Sequence, residues 1–154
     1  MVQFDQLRIS GDGKSMLINA HVNRAPEFAN RYIESITILT ADKVSETNPW
    51  NTSADAEYIY REVFEANTKE IDLVITPQET NENFTKSDFS SDLFFVYVKM
   101  TGIPSECVPC NMSTDYTLGI TFDERLLYQR VMQMTKELVA DCTVPDAFAD
   151  FILR

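Results

Sequence analysis

The chain has 154 residues with a hydrophobic fraction of 44% and a charged fraction of 24%, the composition of one folded domain with a single core and not of a disordered chain. Asp and Glu number 24 against 13 Lys and Arg, a formal charge of -11, and this opposes the basic surface that a nucleic-acid binder needs to neutralise phosphates. The longest apolar run, Leu93 to Val98, is far short of the roughly 20 residues that span a membrane, and the start at Met1-Val2-Gln3-Phe4-Asp5 has neither part of a signal peptide. We therefore expect a protein that is neither exported nor membrane-bound, in which the sequons at Asn51, Asn83 and Asn111 carry no sugar.

In chain order, Phe4 to Ser10, the turn Gly11-Asp12-Gly13, and Ser15 to Val22 read as a β-hairpin with Met16, Ile18, Ala20 and Val22 on one face. After a loop containing Pro26, Tyr32 to Thr40 carries apolar residues on both faces, Ile36 and Ile38 on one and Ile33 and Leu39 on the other, which predicts a central strand. Residues 41–56 are a polar loop in which Trp50 stands alone, able to fold back onto the core or to anchor a partner. Glu57 to Glu65 and Ile71 to Ile75 read as paired strands around Asn67-Thr68-Lys69, and Pro77 ends the second. Residues 78–91 form another polar loop, and Asp92 to Thr101 is the most apolar strand of the chain.

Beyond Cys107-Val108-Pro109-Cys110 and a short strand at Tyr116 to Thr121, the period changes. Thr121 with Glu124 makes a capping box, and Leu127, Val131, Met134 and Leu138 repeat at helical spacing through Ala140, predicting one long helix. Pro145 opens a second, short helix with Phe148, Phe151 and Ile152 on one face. The expected fold is thus mainly β with C-terminal helices: an antiparallel, sandwich-like domain over 1–121 and a helical region over 122–154, all within a single domain 1–154. Val144, Phe148, Phe151, Ile152 and Leu153 each gain roughly 1.5–3 kcal/mol on burial, so the terminal segment is expected to dock on its own core or on a neighbour.

Candidate sites are few. With one histidine, four glycines and no Gly-Lys-Ser/Thr sequence, histidine-based nucleophile activation and phosphate-cradling loops have almost nothing to be built from. The Cys107/Cys110 pair sits between Pro104 and Asn111, without the strand and helix start that lower a thiol pKa in dithiol oxidoreductases. We read Cys107, Cys110 and Cys142 as reduced structural residues. A zinc site formed by the three thiols and His21 is the second reading, and redox catalysis the third. His21 faces away from the apolar side of its strand, as an exposed or hydrogen-bonded residue. The acids Glu79, Glu82, Asp88 and Asp92 gather in a polar loop without the spacing of a calcium-binding hand. No cofactor is expected.

Phe4-Asp5-Gln6-Leu7-Arg8-Ile9-Ser10 with its Gly-Asp-Gly turn, Tyr32 to Ile36, Leu93 to Lys99, Leu118-Gly119-Ile120-Thr121 and the closing Phe148 to Arg154 resemble a virion structural protein of crAss-like bacteriophages. The resemblance covers about half of the chain and brings no catalytic residue with it. What it implies is a head-to-tail connector or tail-ring component of the virion, assembled in the host cytoplasm. It would self-associate around the DNA channel, twelvefold if it follows connector symmetry, beside other neck, tail or portal proteins. Trp50, Phe148, Phe151 and Ile152 are then the assembly candidates. A cytoplasmic β-rich adaptor module shares the same composition and stays open as an alternative, with a thiol or zinc protein using Cys107 and Cys110 behind it.

Overall fold

The structure, a computed structural model, describes residues 2–43, 57–102, 115–123 and 128–131. Eight strands follow one another: β1 (Val2–Ile9), β2 (Met16–Val22), β3 (Arg31–Thr40), β4 (Tyr60–Val63), β5 (Glu70–Ile75), β6 (Leu93–Gly102), β7 (Asp115–Thr121) and β8 (Tyr128–Val131). They form two antiparallel sheets, a three-stranded one in the order β1-β2-β5 and a five-stranded one in the order β4-β3-β6-β7-β8.

The first hairpin forms where the alternation predicts it. Its turn is set by Gly13 at φ +76, whose N–H donates to the Ser10 carbonyl at 2.9 Å, while the Asp12 carboxylate accepts from the Ser10 hydroxyl and the Lys14 N–H. Positive φ is open to glycine at no steric cost, which fixes the residue type there. Met16, Ile18, Ala20 and Val22 all point into the core, as the period-two pattern requires.

β3 and β6 are the central pair of the larger sheet, in register from Arg31↔Gly102 to Thr40↔Phe94. A bulge at Glu34 shifts that register between Ile33 and Ser35. Its consequence is that Ile33 joins Ile36 and Ile38 on the core side, where they meet Met100, Val98 and Val96. Leu39 faces the other way with Ser35, Thr37 and Tyr97, and all four are also buried. The central strands of this sheet are therefore withdrawn from water on both faces, which is why β3 and β6 read as continuously apolar.

Two expectations need correction. The long C-terminal helix is not seen among the described residues, whose helices are three-residue 3-10 turns alone, and β8, within the predicted helical span, is a strand paired antiparallel with β7 from Gly119↔Tyr128 to Tyr116↔Val131. The physical reason is the open edge of β7, whose backbone groups give Tyr128–Val131 a ladder partner in place of a helix's own hydrogen bonds. The second helix, 144–154, lies outside the described residues.

The other correction concerns Glu57–Glu65 and Ile71–Ile75, which do not pair with each other. β4 lines the edge of β3, and β5 lines the edge of β2 in the opposite sheet. The connection between them is tied to both sheets, because the carbonyls of Thr68 and Lys69 accept from the N–H groups of Ile33 and Val22, each at 2.9 Å. Asn67 makes the crossing with φ at 67, a conformation its short polar side chain tolerates. Lys69 holds the same corner, reaching the carbonyl of Ala29 at 2.6 Å and lying 4.5 Å above the Tyr32 ring.

The segment 78–91, read as a polar surface loop, carries two core residues. Phe84 and Phe89 are buried and stack with Phe94 of β6, their ring centroids 5.2 to 5.8 Å apart and two of the three pairs edge-on. The Phe89 N–H donates to the Gly13 carbonyl at 2.7 Å, so this loop closes one end of the core over the hairpin turn.

Candidate functional site

The most organised polar cluster is on the outer face of the three-stranded sheet. The bulge in β1 falls between Phe4 and Gln6 and leaves Asp5 as the extra residue. Its carboxylate lies 2.7 Å from His21 Nδ1 on β2, while Gln3 Oε1 stands 2.9 Å from Nε2. His21 is only 8% exposed, and Arg24, 3.5 Å from the same Nε2, pairs with Glu70 at 2.9 Å. Both ring nitrogens thus have side-chain partners, and the cluster ties β1, β2 and the start of β5 together. The second half of the expectation for His21, a hydrogen-bonded strand residue, is the one the structure bears out. The three thiols of the zinc reading lie outside the described residues.

At the far end of β3 a cleft of about 400 Å³ opens over Ile59 and Phe84, with Asp42, Lys43, Glu57, Lys86 and Asp92 around it. Its two lysines are neutralised in place, Lys43 by Glu57 and Lys86 by Asp92, each at 2.7 Å. The Thr40 hydroxyl, 2.6 Å away, holds the Asp42 carboxyl below the usual carboxylate range. An anion entering this cleft would find its positive charge already compensated. Hydrogen bonds from Ser90 likewise lower the exposed Asp88, and Glu79 accepts a hydrogen bond from the Thr76 hydroxyl. Burial is the main cause of the upward shift at Tyr60 and of the downward shift at Arg61, which lies 4.3 Å above the Tyr58 ring and donates to Thr37. Among the described residues, no set of three or more His, Cys, Asp or Glu side chains is placed to hold a metal ion.

Of the metal-ligand and assembly candidates read from the sequence, only His21 falls within the described residues. Cys107, Cys110, Cys142, Trp50, Phe148, Phe151 and Ile152 lie outside them. The structure adds partners that the sequence did not show, namely Asp5, Gln3, Arg24 and Glu70 around His21. Only the bulge and the cross-strand register bring them together, and neither leaves a local mark in the sequence.

Relatedness decides the class. The sequence description of Crassvirus tail hub protein A matches residues 2–154. The chain belongs to the Crassvirus tail hub protein A family. Among relatives of the family, tail hub protein A of Bacteroides phage crAss001 is 27% identical over an alignment of 175 positions, covering 99% of this chain and 81% of the relative. A member of the tail hub protein A family is a tail structural protein of crAss-like phages and a component of the virion, in agreement with the resemblance drawn from the strand and terminal sequences.

Proposed function

We propose that this tail hub protein A family member is a non-enzymatic structural subunit that self-associates into a closed ring around the channel through which DNA leaves the capsid. The observation that carries the reading is the family match over residues 2–154. Physical chemistry supports it in two ways. A formal charge of -11 gives a wall along which a polyanion passes without sticking. The two sheets end, among the described residues, in strand edges at β1, β5, β4 and β8, the kind of backbone that neighbouring subunits extend or cover. Its partners are then further copies of itself and adjoining neck, tail or portal proteins, with no sequence-specific contact to DNA.

The test is the mass of the purified particle by native mass spectrometry. A closed multiple of the 17.6 kDa chain is expected, twelvefold if the ring follows connector symmetry. A chain that stays monomeric at the concentrations of assembly overturns self-association and favours the adaptor reading.

A further inference from the structure

We draw no further inference here: the strongest candidate, the outer edge of β5 with Val74 exposed beside Leu17 on the outward face of the three-stranded sheet, is a strand edge without a partner among the described residues, and nothing in the structure shows what covers it.

Discussion

Replacing Gly102 by alanine should destabilise the protein far more than a single methyl group suggests. Gly102 ends β6 at φ +114, and a Cβ built there falls 1.9 Å from the Asn30 carbonyl oxygen, 3.0 Å from its carbon and 3.1 Å from the Arg31 Cα. All three are backbone atoms, so no side-chain rotation relieves the contact. The chain must either leave this φ or push apart the Arg31↔Gly102 end of the central strand pair, where the buried Arg31 guanidinium also donates to the Gly102 carbonyl at 3.3 Å. Backbone strain of this kind costs on the order of 1–3 kcal/mol, and a weakened hydrogen bond to a charged donor adds about 1 kcal/mol or more. A total of about 2–4 kcal/mol corresponds to a fall in melting temperature of roughly 5–15 °C for a chain of this size. Urea unfolding followed by circular dichroism measures it directly. A Gly102→Ala protein within about 0.5 kcal/mol of the parent, the range of an ordinary surface substitution, would refute the close approach of Asn30 to β6.

Three further outcomes follow from individual side chains. Phe89→Ala empties the centre of the Phe84/Phe89/Phe94 cluster and should cost about 3–5 kcal/mol in the same assay, whereas a polar loop would lose almost nothing. Thr117 is 3% exposed with a hydroxyl that has no hydrogen-bond partner, so the near-isosteric Thr117→Val should leave stability unchanged or raise it by about 1 kcal/mol; a clear loss would mean the hydroxyl is bonded. Asp12 and Asp88 are held below the ordinary carboxyl value of 3.8, chiefly by the Ser10 and Ser90 hydroxyls. A folded-state pKa depressed in this way contributes stability above the unfolded value that is lost as pH falls through the folded one. Carboxyl titrations by NMR should therefore show both midpoints under 3.8, and Asp12→Asn should flatten the acid dependence of stability below about pH 4.

Much of the sheet framework was legible because its signals are local. The alternation around Gly11-Asp12-Gly13 specified the hairpin and its buried face, and the two-sided apolar character of Ile33 to Leu39 and Leu93 to Val98 marked the central strands. The errors arose where pairing overrides the local pattern. Leu127, Val131, Met134 and Leu138 keep a helical period, yet Tyr128 to Val131 pair along the edge of β7, and periodicity alone does not show that edge. Glu57 to Glu65 and Ile71 to Ile75 look like a hairpin because they are close in sequence, but each joins the edge of a strand in a different sheet. Phe84 and Phe89 were hidden by the polar residues around them. The His21 cluster was half visible: its side of the strand could be read, but its partner Asp5 reaches it through a bulge.

The central claim is that this chain is a structural part of the phage tail, and immunogold electron microscopy of purified virions of the encoding phage, with an antibody raised against the chain, tests it most directly. The account predicts gold confined to the tail, including its junction with the head, on nearly every particle. Label spread over the capsid, or intact virions that contain none of the chain, would contradict it.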